Sequence, residues 1–295
     1  MTFNDNANVG GNSARRRGAG IAVGGGITGL GAVAVLLLSL FTGQDVTGLL
    51  GGALGAPGQA VGGGTTDEGT VQNCQTGADA NRDSSCRLAA TSVVLDQYWA
   101  QHIDGYRKPQ LVIVDRSTPT QCGTASNNTG PFYCPPDETV YIDPTFFDLL
   151  HSQFGATAGN LAQLYVIAHE YGHHVQQITG ITQDHPANGT GPTSNGVRTE
   201  LQADCFAGAF IADMATQKDQ NGVAYLQAPT NAQIADAINA AQAVGDDHIQ
   251  KESGVPVNPE TWTHGSSAQR EHWFETGMQG GPGACDTFSV SGRSL

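Results

Sequence analysis

His169, Glu170 and His173 spell H-E-x-x-H inside the stretch Ala168 to His174 of a 295-residue chain. Residues four apart share one face of a helix, so both imidazoles can meet a single ion while the glutamate stands beside it. That set suits zinc-dependent hydrolysis, in which the ion acidifies a water toward neutral pKa and Glu170 takes its proton as general base. A catalytic zinc takes three protein ligands and leaves a fourth position open. The third cannot come from the same helix as a histidine, because Gln176 and Thr179 stand where the longer H-E-x-x-H-x-x-G-x-x-H pattern needs glycine and histidine. Glu200 and Asp204 form a second acidic pair at helical spacing. Glutamate is the usual carboxylate of a His-His-Glu site, so Glu200 is the expected ligand. Asp204 is then the carboxylate that accepts a hydrogen bond from a ligand imidazole, although the spacing alone also permits the reverse assignment.

These side chains need two helices to carry them. Asn160, as N-cap, opens a helical pattern through LAQLYVIAHEYGHHVQQIT that Gly180 closes, and a second runs from Val197 to about Gln217. Further helical spacing appears over Leu88 to Tyr98, about Asn231 to Val244 and about Ser267 to Met278. Leu111 to Val114 and Thr139 to Ile142 are short β-branched runs that predict strands of a small sheet, and the second is a candidate edge for an extended peptide. The expected class is α+β, mainly helical. His174 falls about 100° off the ligand face and is expected at the surface or behind the ligands. Tyr171 is expected to be a packed aromatic.

The N-terminal part differs in kind. No charged residue occurs from Gly18 to Gln44, and Arg15, Arg16 and Arg17 precede that stretch. Length and flanking charge predict a transmembrane helix over 18–43, with a disordered cytoplasmic tail at 1–17 and the bulk of the chain outside. A cleaved signal peptide is the rival reading. Residues 44–72, rich in Gly, Ala and Thr, read as a flexible linker, which leaves 73–295 as the folded domain. A formal net charge of −14 and the lack of a basic stripe argue against nucleic acid as a partner. All six cysteines follow the apolar stretch, as expected of an exported, disulfide-bearing domain. Six cysteines allow fifteen connectivities. Equal spacing favours Cys74 with Cys86 and Cys122 with Cys134, leaving Cys205 with Cys285.

HEYGHHVQ at 169–176, ELQADCFAG at 200–208, PFYCPPDETVYID at 131–143 and THGSSAQREHWF at 263–274 together resemble the bacterial putative neutral zinc metallopeptidases. The resemblance covers residue 73 to the end. It implies a zincin-like, gluzincin-type peptidase using Zn2+, with Glu200 as third ligand and a peptide or protein substrate of unspecified identity. His264 and Arg270 resemble the H-P-x-x-x-x-R element of membrane-associated gluzincins, with Gly265 in place of proline. On that footing His264 is a candidate catalytic residue that stabilises a developing oxyanion, and Arg270 a candidate anchor for Asp204 or another carboxylate. Two other readings fit the same residues: a non-catalytic zinc-bearing scaffold, and a zinc amidase acting on cell-wall peptides.

Overall fold

The β-branched runs do form strands, and the helices assemble around them. The computed structural model describes residues 3–19 and 65–295. Strands β1 (Arg15–Ala19), β2 (Thr65–Thr70), β3 (Gln110–Asp115), β6 (Phe132–Cys134) and β7 (Thr139–Ile142) share one sheet in the order β2-β1-β3-β7-β6. A separate hairpin pairs β4 (Ser117–Thr120) with β5 (Gly123–Ser126). The β1-β3 and β3-β7 pairs are parallel, and the outer pairs β1-β2 and β6-β7 are antiparallel. Leu111 to Val114 are buried on both faces of β3, as a near-continuous apolar run in a covered parallel sheet should be.

The helices among the described residues are α1 (Gly77–Arg82), α2 (Ser84–His102), α3 (Phe146–Phe154), α4 (Asn160–Ile178), α5 (Ile181–Asp184), α6 (Asn195–Asp213), α7 (Asn231–Ala243), α8 (Asp246–Glu252) and α9 (Ser267–Gly280). Local chemistry fixes several of their starts. The Ser194 hydroxyl accepts the Val197 N–H to open α6, and Ser266 with Gln269 forms a reciprocal capping box on α9. Asn160, expected as the cap of α4, is its first helical residue instead, and Gly159 occupies the cap. α4 packs against α6, and α6 against α9. A Cβ on Gly172 would lie 3.0 Å from the Ala203 Cα, so α4 and α6 approach closely just where the H-E-x-x-H motif sits. The three disulfides are Cys74–Cys86 and Cys122–Cys134, the two pairs that spacing favoured, and Cys205–Cys285, the pair left over.

Three expectations need correction. Residues 3–17 do not form a disordered tail: Phe3, Ala7, Val9 and Ala14 are buried, and Arg15 to Gly18 pair with β3 in the body of the sheet. Their backbone groups bond the domain directly, with Asn4 N–H donating to the Tyr225 carbonyl and Val9 N–H to that of Gln75. The folded unit therefore includes residues N-terminal to the expected start at 73. Gly18 and Ala19, the first residues of the expected span, are in β1. From residue 20 on the span, and the linker as far as residue 64, lie outside the described residues. Among the described residues no helix is long and apolar enough to cross a membrane. Finally, Thr139–Ile142 is not an edge, because β7 is hydrogen-bonded on both sides; the edge next to it is β6.

Candidate metal centre and active site

α4 presents His169 and His173 one turn apart, and α6 brings Glu200 over both. His169 Nε2 lies 3.2 Å from His173 Nε2 and 3.2 Å from Glu200 Oε2, and His173 Nε2 lies 3.5 Å from Glu200 Oε1. Tetrahedral zinc with bonds of about 2.0–2.1 Å separates its ligand atoms by about 3.3 Å. The three side chains thus already stand at the edges of such a coordination figure, and among the described residues they are the only His/Cys/Asp/Glu group so arranged.

The far side of each imidazole fixes its tautomer. His169 Nδ1–H donates to Asp204 Oδ1 at 2.8 Å, and His173 Nδ1–H donates to Gln176 Oε1 at 2.9 Å, so both Nε2 atoms are turned toward Glu200. Asp204 is wholly buried. Its carboxylate also accepts Arg270 Nε at 2.8 Å, Arg270 Nη2 at 2.9 Å and the Tyr165 hydroxyl at 2.6 Å. This bidentate pair lets a buried charge persist beneath a ligand histidine. Of the two carboxylates the spacing left interchangeable, Glu200 faces both Nε2 atoms and Asp204 faces the Nδ1 side.

Electrostatics follow the geometry. Burial works against charge on His169, but Asp204 and Glu200 outweigh it and raise its pKa to about 10. His173 is also raised, burial being outweighed by Glu200. Burial likewise opposes ionisation of Glu200, yet His173 and His264 hold its carboxyl well below the usual range. Asp204 is lowered too, burial being outweighed by Arg270 and His169. A cation held at Nε2 would meet the same anionic field. The donor set, two imidazole nitrogens and a carboxylate, therefore fits zinc.

Glu170 is buried beside the ligands, and its Oε2 accepts the backbone N–H of Tyr133 on edge strand β6 at 2.8 Å. His264 lines the same cleft. Its Nδ1 is 2.9 Å from Thr263 Oγ1 and 3.4 Å from Asp246 Oδ1, while Asp246 Oδ2 accepts the N–H groups of Thr263, His264 and Gly265. Burial lowers the His264 pKa, but Glu200 and Asp246 raise it further than burial lowers it. Gly265 has φ +90°, which proline's ring cannot adopt, so the departure from H-P-x-x-x-x-R is dictated by the turn itself.

His174 is not at the surface. It is fully buried behind α4, with Nδ1 3.0 Å from the Tyr133 hydroxyl and Nε2 2.7 Å from the Arg107 carbonyl. Tyr171 is buried as expected. Gln176, Tyr165, Asp246 and the Tyr133 amide escaped the sequence reading. Gln176 and Tyr165 left only a helical spacing from His173 and His169, and such spacings are too common on helices to signify.

With this geometry in place, the family can be fixed. The sequence profile described as "Putative neutral zinc metallopeptidase" matches residues 2–288. The chain belongs to this family. The match reaches beyond the part from residue 73 that the motifs suggested, and it takes in the N-terminal strand. An uncharacterized protein of Mycobacterium tuberculosis, Rv2575, is 48% identical over 223 residues, covering 75% of this chain and 76% of its own. Escherichia coli YpfJ, also uncharacterized, is 38% identical over 287 residues, 93% of this chain and 91% of its own. No solved structure matches the chain.

Proposed function

We propose that the chain is a zinc-dependent peptidase that hydrolyses peptide bonds in a peptide or protein substrate outside the cytoplasm. The observation that carries this reading is the near-tetrahedral spacing of His169 Nε2, His173 Nε2 and Glu200 with Glu170 beside them. The three disulfides support an oxidising compartment. The acidic net charge makes nucleic acid an unfavourable partner.

His169, His173 and Glu200 would hold the ion, with Asp204 and Gln176 orienting the two rings. When bound, zinc supplies a Lewis acid that polarises the scissile carbonyl and lowers the pKa of the attacking water. Glu170 removes a proton as the water oxygen bonds to the carbonyl carbon. It then delivers that proton to the amide nitrogen as the C–N bond breaks. His264 lines the cleft with its Nδ1 engaged by Thr263 and Asp246, which leaves Nε2 as the atom to donate to the developing oxyanion. Edge strand β6 offers backbone groups to an extended peptide.

Glu170→Gln should keep one zinc per chain by elemental analysis and lose cleavage of an unbiased peptide library by at least about a thousandfold. Glu200→Ala should lose the zinc. A Glu170→Gln protein that cleaves as well as wild type would overturn the peptidase reading, and full zinc retention in Glu200→Ala would overturn the ligand set.

A further inference from the structure

The cleft that holds the catalytic group continues well beyond it. Its volume is about 540 Å³, in the range of sites that enclose a sizeable ligand. Its charged and metal-directed side chains, His169, Glu170, His173, Glu200, His264 and Arg270, belong to the centre already described, and Arg270 is engaged by Asp204. Away from them one wall is apolar, formed by Phe146, Leu149 and Phe154 on α3, Val166 on α4, and Ala240 and Val244 at the end of α7, while Gln153, Gln177 and Thr182 are polar members of the same lining. Val166 stands one turn before Glu170 and three residues before His169, so it places this wall on the reacting face of α4. Resting on the peptidase reading, we infer that this region is a specificity pocket for a large aliphatic or aromatic side chain next to the cleaved bond. A carboxylate side chain seated against that apolar wall would lose hydration and stand next to Glu170 and Glu200, so it is disfavoured.

The test uses zinc-loaded Glu170→Gln and dipeptide hydroxamates, whose zinc-directed group fixes the side chain beside the metal. Calorimetry should give Leu and Phe side chains at least about tenfold tighter than Gly, and Asp weaker than Gly. Val166→Trp should shrink the Phe-over-Gly ratio toward one with zinc content unchanged. Equal affinities across the series, or a ratio untouched by Val166→Trp, would overturn the pocket. Binding is read without turnover, so selective binding alongside a wild-type enzyme that cleaves nothing would fail the peptidase reading and leave the pocket standing.

A second, independent observation concerns the N-terminus. Residues 3–9 are stitched to two separate parts of the domain: Asn4 N–H to the Tyr225 carbonyl and Asn8 N–H to Asp219 Oδ2 at 2.8 Å in one turn, and the Gly77 N–H at the start of α1 back to the Ala7 carbonyl. Phe3 N–H and carbonyl both bond the Asn81 side chain, and Arg15 to Gly18 run parallel to β3. A segment hydrogen-bonded into a domain cannot lie across a bilayer from it. The geometry points to an N-terminal segment that stays in the mature protein and shares the domain's side of any membrane, in place of a cytoplasmic tail or a cleaved leader. On the full-length protein in cells, epitope tags at the two ends should become accessible to antibody together, and intact mass should include residues 3–19. Hydrogen exchange on the purified chain should protect the Asn4 and Val9 amides. Tags on opposite sides, a mature mass lacking these residues, or unprotected amides would each overturn it.

Discussion

The two faces of α4 both bury polar groups, and they treat charge in opposite ways. On the face toward α6 and α9, His169 meets Asp204, which is locked by Arg270 and Tyr165. Ions survive there without solvent because each has a partner at hydrogen-bond distance. On the opposite face His174, Tyr133, Tyr171, Asp96 and Tyr106 make hydrogen bonds with little charge among them. Burial lowers the His174 pKa and raises that of Asp96 to about 7, so both groups are pushed toward their neutral forms. Ionised groups are kept where a metal cation is to be held, and neutral ones where the helix needs only to be seated. Mutation on the two faces should therefore differ in size and in what it disturbs.

The largest effect belongs to the charged face. Arg270→Leu leaves Asp204 buried with no counter-ion, so denaturant unfolding should show a loss of about 3–5 kcal/mol. His174→Phe removes a neutral group and strands the Tyr133 hydroxyl and the Arg107 carbonyl, which should cost about 1–3 kcal/mol by the same measurement. Its zinc affinity should stay at the wild-type value, since neither ligand ring touches His174. Zinc affinity that collapses in His174→Phe, or Arg270→Leu as stable as wild type, would erase the distinction between the faces.

A finer comparison lies within the metal side, where a charged carboxylate orients His169 and a neutral amide orients His173. Gln176→Met removes the acceptor that fixes the His173 tautomer. Competition with a chelator should report zinc binding weakened about tenfold, the low end of the range for such partners, because an amide adds less basicity than a carboxylate. An unchanged affinity would mean that helix packing alone orients His173.

The sequence reading reached furthest where function rests on spacing within one element. His169, Glu170 and His173 lie within five residues of one helix and Glu200 and Asp204 within five of the next, so helical geometry alone nearly forms each half of the site. What was illegible is what lies behind an element. The position of His174 off the ligand face was readable, but no periodicity could reveal that β6 and the Arg107 loop cover it. Phe132–Cys134 is too short to show alternation, so the true edge strand was hidden and β7 stood in for it. The Asn/Gly-rich residues 3–14 have the composition of a disordered tail, yet they are held by backbone bonds to distant loops, and composition is blind to those. Arg270 could be assigned as a carboxylate anchor; its bond to Tyr165 could not be foreseen, because α4 and α9 meet only in the folded chain.

Asp96 offers the most diagnostic test of the neutral face, because its effect is switched by pH alone. Its carboxylate accepts the Tyr106 hydroxyl at 3.0 Å and is also near Tyr171 and Lys108; burial raises its pKa, and these neighbours only partly offset it. A pKa raised in the folded state means the native protein binds the proton more tightly than the unfolded chain. The group's contribution to stability is therefore intact below about pH 4 and is lost as pH climbs through about 7. Asp96→Asn cannot ionise and should escape that loss. Its stability relative to wild type should be near zero at pH 4, rise with pH by about 1.4 kcal/mol per pH unit, and level off above pH 7 at a gain of about 4 kcal/mol. Thermal unfolding of the two proteins across that range decides it. A difference that does not change with pH would mean Asp96 keeps its charge, and the back of α4 would then manage buried charge by pairing, as the metal side does.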